Sequence, residues 1–157
     1  MTDRPELNED FLDLLRAFVD AEVDFLVVGA HALAAHGVVR ATGDLDVFVR
    51  PTPANADRVV AALGAFGAPL AAHGVSRQDF AKMGTVYQLG LPPRRIDIIT
   101  AISGVDFEQA AREAMVVDMG SIVLRVPGRA ALLANKRASG RPKDLEDADR
   151  LERLERE

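Results

Sequence analysis

Two short segments in which acidic residues alternate with apolar ones constrain the fold of this chain most. Residues 44–49 read DLDVFV and residues 95–100 read RIDIIT. Successive side chains of a β-strand point to opposite faces of the sheet, so the alternation predicts two strands, each with an apolar face towards a core. Asp44 and Asp46 would then lie side by side on the other face, ~6–7 Å apart.

Helical and strand-like segments alternate along the rest of the chain, in the order α-β-α-β-α-β-β-α-β-β-α-α. Several strands follow one another too closely for a helical crossover, which favours a mixed sheet with helices packed on it, of the α/β or α+β class. The chain would close with a pair of helices. Helices are predicted over 7–22, 30–36, 53–66, 106–115, 128–139 and 144–156, and a further short helix over 76–82 is left open. Strands are predicted over 24–29, 44–49, 85–91, 95–100, 115–118 and 122–126.

Length and composition set the class of protein. The 157 residues, without repeats or a long linker, predict one domain over 1–157, and 48% hydrophobic with 27% charged residues is typical of globular proteins. The lack of cysteine excludes a disulfide framework, a zinc ribbon and a thiol nucleophile. No apolar run reaches the ~18 residues of a membrane span and the start is acidic, so we expect a cytoplasmic protein without a membrane partner. With a net charge of −5, any nucleic-acid contact must be local.

The carboxylates of the two alternating segments are candidate metal ligands. Asp44 and Asp46 would repel each other unless a cation neutralises them, and Mg²⁺ prefers carboxylate oxygens together with substrate phosphates. Asp97 would stand alone among apolar neighbours, where it needs a cation or several donors. If the two strands are neighbours, the three carboxylates converge on a site for two metal ions. The alternatives are a solvated strand face and an ion pair of Asp97 with Arg94 or Arg95.

A glycine turn precedes the first acidic segment. An apolar run ends at Gly29, and Ala30 and His31 begin a short helix whose free backbone N–H groups would suit a phosphate. His31 is a candidate phosphate contact, although a packed core histidine is the alternative. Arg40 and Thr42 lie just before the carboxylates, where a cation and a hydroxyl would join the same pocket.

These motifs, in this order, resemble the nucleotidyltransferase superfamily with its polymerase-beta-like fold, specifically small bacterial proteins related to AbiEii-type toxin nucleotidyltransferases. The resemblance spans most of the chain. Its residues are 27–33 (VVGAHAL), 36–46 (HGxxRxTxDLD), 95–100 (RIDIIT), 102–107 (ISGVDF) and 135–147 (NKRASGRPKDLED).

The resemblance implies a role for each matching residue. Gly29 would let the nucleotide phosphates approach closely, Asp44 and Asp46 would bind metal, and Asp97 would be the third carboxylate and the base. It also implies Mg²⁺ or Mn²⁺ as cofactor and an NTP as substrate. A C-terminal lysine and aspartate form a second functional pair in related toxins, and the matching candidates here are Lys136, Lys143 and Asp144. Ala30 departs from the pattern, because the family has glycine or a phosphate-binding serine there.

The leading hypothesis is a metal-dependent transferase that moves NMP from an NTP to an acceptor hydroxyl. In it, Arg40 and Lys136 offset the developing charge. The acceptor is left open among tRNA, a protein and a small molecule, and an antitoxin-like protein is a candidate partner. A nucleotide-binding or partner-binding module without turnover, favoured by Ala30, and a metal-dependent nuclease are the alternatives.

Overall fold

The computed structural model describes residues 7–39 and 43–156, which contain seven helices and six strands. The helices are α1 Glu9–Asp20, α2 Ala30–Ala35, α3 Pro53–Phe66, α4 Arg77–Phe80, α5 Phe107–Arg112, α6 Arg129–Ser139 and α7 Pro142–Arg156. The strands are β1 Phe25–Val28, β2 Leu45–Val49, β3 Val86–Leu89, β4 Ile96–Ile99, β5 Met115–Asp118 and β6 Val123–Val126.

Four strands form a mixed sheet in the order β1-β2-β4-β3. The two outer pairs, β1 with β2 and β3 with β4, are antiparallel, whereas the central pair, β2 with β4, is parallel. A parallel pair needs a crossover connection, and α3 lies in the connection between β2 and β4. The mixed α/β sheet predicted from the sequence is therefore confirmed, and β5 and β6 form a separate antiparallel hairpin.

Helix boundaries follow from local capping chemistry. The side chain of Asn8 accepts a hydrogen bond from the backbone N–H of Phe11 at 2.9 Å, which fixes the start of α1. A proline at the first helical position opens both α3 and α7. Because Pro142 already has helical geometry, α7 begins two residues before the predicted start at Asp144. No helix within residues 7–39 and 43–156 has both the length and the apolar character to cross a membrane.

The sheet separates two apolar clusters of unequal size. Leu45, Val47 and Val49 face the larger cluster together with α1 and α3, as the alternation predicts. Phe48 faces the smaller cluster on the opposite side, where its ring meets that of Phe107 edge to face. The smaller cluster covers only part of its face, and the uncovered part of that face carries the acidic residues.

Ion pairs attach the β5–β6 hairpin to the beginning of the sheet. Asp24, just before β1, accepts hydrogen bonds from Arg125 of β6 at 2.8 Å and from Arg50 at 2.6 Å. The guanidinium of Arg50 also lies over the ring of Phe107, 4.7 Å from its centroid. These contacts lie at the far end of β1 from Gly29, so we assign them a structural role.

Candidate functional site

A cleft runs between the acidic end of the sheet and the α6–α7 helix pair. It has two lobes of about 350 and 690 Å³. The smaller lobe, next to α2, contains Asp44 and Lys143, and the larger lobe, next to β3, contains Asp97. Five residues line both lobes and so mark the centre of the cleft: Gly29, Asp46, Lys136, Arg141 and Asp144.

The acidic wall of the cleft consists of Asp44, Asp46 and Asp97. Asp46 on β2 and Asp97 on β4 are direct partners in the register of the parallel pair, so their side chains leave the sheet on the same face. Asp44 stands immediately before β2. The two acidic segments are therefore neighbours, which is the condition that the sequence analysis set for the carboxylates to converge.

Asp46 carries uncompensated negative charge. The pKa of Asp46 is raised from 3.8 to about 6, chiefly by burial. The charge of Asp97 and a side-chain hydrogen bond with it, together with the charge of Asp44, act in the same direction, and Arg95 opposes them. Within the part of the chain that the structure describes, no basic side chain forms an ion pair with Asp46. A cation beside Asp46 would relieve this charge.

Arg95 contacts the other two members of the acidic wall. Its side chain holds Asp97 with two bonds, Nε to Oδ1 at 2.8 Å and Nη2 to Oδ2 at 3.2 Å. The same Nη2 lies 3.5 Å from Oδ2 of Asp44, and the backbone N–H of Arg95 donates to Oδ1 of Asp44 at 3.0 Å. Of the two arginine partners left open for Asp97 by the sequence, the structure selects Arg95. Residues two apart on a strand share a face, which explains the choice.

Gly29 makes room for the carboxylate of Asp46. A Cβ atom at position 29 would lie 2.3 Å from Oδ2 of Asp46, closer than any real Cβ contact. The backbone at Gly29 has φ 72° and ψ −150°, a region open essentially to glycine alone. Gly29 is predicted to let phosphates approach closely. In the structure it lets the carboxylate of Asp46 approach closely.

Basic residues of the α6–α7 pair form the opposite wall. Lys136 is almost buried and its Nζ lies 3.1 Å from Oδ1 of Asp144 and 3.5 Å from Oδ2 of Asp147. Arg141 donates from Nε to Oδ2 of Asp144 at 3.0 Å, yet its side chain is 79% exposed. Lys143 is exposed at the mouth of the smaller lobe. The predicted residues Lys136, Lys143 and Asp144 therefore do come together with the acidic wall.

The Asp144 carboxylate is held by several donors at once. Burial alone would raise the pKa of Asp144, but the hydrogen bonds from the Ser139 hydroxyl and from Lys136 outweigh it and lower the pKa. Asp144 is thus a fixed anion that orients Lys136. Asp147, three residues further along α7, is the second anion beside Lys136. The sequence reasoning assigned Asp147 no role, although the spacing of three residues from Asp144 was a usable signal.

Among the predicted site residues that the structure describes, His31 does not line the cleft. His31 points to the larger apolar cluster, where it meets Phe11 edge to face and lines a separate cavity of about 70 Å³. Burial lowers the pKa of His31, and a hydrogen bond to the backbone of Gly43 opposes that effect. The core alternative therefore describes His31 better than a phosphate contact. Arg40 and Thr42 lie outside the described residues. Ala30, by contrast, does line the smaller lobe.

The carboxylate oxygens of the acidic wall suit a hard divalent cation, but those of Asp44 and Asp97 contact Arg95. Within residues 7–39 and 43–156, no group of three His, Cys, Asp or Glu side chains is arranged to hold a metal ion. The oxygens of Asp44 and Asp97 face Arg95 instead. Three carboxylate groups and the excess charge at Asp46 nevertheless match the ligand preference of Mg²⁺.

A scan against protein-family models and a search of curated proteins find no match for this chain. The cleft itself is therefore the basis for assigning a function. One wall carries three carboxylates beside a tight glycine turn. The facing wall carries more cations than carboxylates: Lys136, Arg141 and Lys143 with Asp144 and Asp147.

Proposed function

We propose that the chain is a metal-dependent nucleotidyltransferase that transfers NMP from an NTP to an acceptor hydroxyl. The observation that carries the proposal is the gathering of Asp44, Asp46 and Asp97 beside Gly29, opposite the cations of α6 and α7. A nucleoside triphosphate suits such a cleft, because its anionic phosphates can be bound by metal ions on the acidic wall and by basic side chains on the opposite wall.

The residues of the cleft divide this work. Asp44, Asp46 and Asp97 would hold Mg²⁺ or Mn²⁺, which when bound polarises the α-phosphate and neutralises the leaving pyrophosphate. The Lys136 ammonium, fixed by Asp144, and the exposed Arg141 and Lys143 would bind the phosphates from the other wall.

The reaction requires two bond changes at the α-phosphorus. The acceptor oxygen forms a bond to it, and the bond to the bridging oxygen of pyrophosphate breaks. The proton of the acceptor hydroxyl goes to a carboxylate of the acidic wall, with Asp97 as the predicted base. Because both Asp97 oxygens are bonded to Arg95, that role requires the guanidinium to move first.

The direct test is transfer of label from α-³²P-labelled ATP, CTP, GTP or UTP to total tRNA, protein extract and aminoglycosides, with and without Mg²⁺. We expect Mg²⁺-dependent labelling by the wild-type protein and none by the Asp44→Asn/Asp46→Asn variant. Asp149→Asn is the matched control, because Asp149 is exposed on α7 away from the cleft lining. Undiminished labelling by the double variant would contradict the proposal.

A second function, nucleotide binding without turnover, is favoured by two observations. Ala30 lines the smaller lobe where a hydroxyl would contact phosphate, and Arg95 engages Asp97. This alternative predicts that an NTP with Mg²⁺ raises the melting temperature while no labelled product forms with any acceptor. Pyrophosphate release in the same assay would exclude it.

A further inference from the structure

Arg95 contacts the carboxylates of the acidic wall in the way that a bound metal cation would. One nitrogen, Nη2, lies 3.2 Å from Asp97 and 3.5 Å from Asp44, so a single positive group bridges two of the three acidic side chains. With the Nε and backbone N–H bonds, both oxygens of each of these two carboxylates are engaged by Arg95.

We propose that Arg95 is a resident counter-ion of the acidic wall, which a divalent cation must displace to reach Asp44 and Asp97. This inference rests on the proposed function, because it concerns the same metal site. The two are nevertheless separable, since competition by Arg95 is measured as metal binding and does not require turnover.

Three features of Arg95 fit a displaceable group. Its side chain is 30% exposed, so the guanidinium can leave the carboxylates for solvent without disrupting the core. Arg95 also belongs to the same strand segment as Asp97, so no second element must move with it. The third feature is that Asp46, the direct register partner of Asp97, forms no hydrogen bond with Arg95. An incoming cation would therefore meet Asp46 first and compete with Arg95 for the other two.

The exchange adds positive charge at the acidic wall, because a divalent ion takes the place of a singly charged guanidinium. Without metal, one guanidinium serves two carboxylates and leaves Asp46 uncompensated. With metal, the ion replaces the guanidinium, and the freed positive charge remains near the phosphates that arrive with it. Arg95 would thus keep the wall folded and free of weakly bound cations until a ligand of sufficient charge enters.

The test is Mn²⁺ binding, measured by calorimetry and by the loss of the free-ion electron paramagnetic resonance signal, with and without a non-hydrolysable ATP analogue. We expect Arg95→Gln to bind Mn²⁺ about tenfold more tightly than wild type, on the scale of coupling between contacting charged residues. Arg95→Lys keeps the charge but cannot bridge the two carboxylates with a planar guanidinium. Its Mn²⁺ affinity should therefore lie between those of wild type and Arg95→Gln. Arg94→Gln is the matched control, because Arg94 is exposed in the adjacent turn.

A measurement on the wild-type protein covers the case in which Arg95→Gln does not fold. The Arg95 Nε–H resonance in ¹⁵N-edited spectra, assigned with Arg95→Lys, should be protected from solvent exchange without metal and lose that protection on saturation with Mg²⁺. Retention of the protected signal at saturation would overturn the inference, as would equal Mn²⁺ affinity in wild type and Arg95→Gln. Absence of Mn²⁺ binding in all variants would overturn the proposed function as well.

Discussion

The shape of the cleft depends at one point on a single missing methyl group. At Gly29 the backbone turns from β1 into α2 with a positive φ, and the carboxylate of Asp46 occupies the space that a side chain would take. Any other residue would have to strain the backbone and push Asp46 away from the acidic wall. Position 29 thus couples the fold to the geometry of the site.

Gly29→Ala should destabilise the protein by about 2–3 kcal/mol, because an L-residue is strained at this φ and ψ and its Cβ meets Asp46. Gly64→Ala is the control, since Gly64 is exposed within α3 with no atom near its missing Cβ. That change should stabilise the protein by about 0.5–1 kcal/mol. Urea denaturation of both variants measures the difference, and equal effects of the two changes would contradict this account of Gly29.

Asp46 predicts a specific pH dependence of stability in metal-free buffer. Its pKa rises from 3.8 to about 6 on folding, so the folded protein binds this proton more tightly than the unfolded chain. The resulting stabilisation is present below pH 3.8 and is lost as the pH rises through 6. Asp46→Asn cannot ionise and should therefore be more stable than wild type above pH 6, by about 1–2 kcal/mol after allowance for partial solvent exposure.

The measurement is a series of urea denaturation curves from pH 4 to 8 in EDTA. The advantage of Asp46→Asn should shrink towards pH 4, and Asp149→Asn should show no such trend. An advantage that is independent of pH would mean that the charge of Asp46 is not the cause.

At the scale of elements, the α6–α7 pair is joined by buried charge. The side chains of Lys136, Asp144 and Asp147 are only 12%, 11% and 3% exposed, and the ammonium of Lys136 pairs with both carboxylates. This arrangement fixes α6 and α7 relative to each other. The same two ion pairs would hold the ammonium of Lys136 in position to meet a phosphate.

Lys136→Met should cost about 3 kcal/mol of unfolding free energy, because it leaves two buried carboxylates without their shared partner. Lys82→Met is the control: Lys82 is 68% exposed and 3.8 Å from Asp79, so its removal should change stability by less than about 0.5 kcal/mol. Thermal and urea denaturation compare the two. A cost for Lys136→Met no greater than for Lys82→Met would show that the pair is held by packing alone.

The elements differ in how far the sequence predicts them. The period-two alternation of 44–49 and 95–100 correctly assigns each residue to a face, because strand geometry alone determines this. That β2 and β4 are neighbours depends on the crossover through α3, which no local pattern specifies. Arg95 lies two residues from Asp97 and therefore on the same face of the strand, whereas Arg94 does not. This reasoning identifies Arg95 as the partner of Asp97 only once the limits of β4 are known. For His31 the sequence left a phosphate contact and a core position open, because a short helix beside a glycine turn does not reveal which side meets the core.

At the scale of the whole molecule, the cleft joins parts of the chain that are far apart in sequence. Gly29 and the acidic wall come from residues 29–97, and the basic wall comes from residues 136–147. The smaller apolar cluster lies between the sheet and α5, so little apolar packing covers the acidic end. A ligand that touches both walls would connect them.

Binding of Mg²⁺ with a non-hydrolysable NTP should therefore slow amide hydrogen exchange in both walls together, at 43–46 and 136–147. The β5–β6 hairpin at 115–126 is an internal control, because it lines neither lobe of the cleft. Mass spectrometry of peptides from the exchanged protein measures this. Protection confined to one wall would contradict a ligand that bridges them.

A contact beside the larger lobe bears on how wide the cleft can be. Gly104, in the loop before α5, packs so closely on α6 that a Cβ atom there would lie 2.3 Å from the Cβ of Ala138. The spacing between loop and helix is thus set by two of the smallest side chains in proteins. A bulkier residue at 138 would push the loop away from α6. Successive increases in its size would widen the cleft and so change the size of the molecules that can enter it.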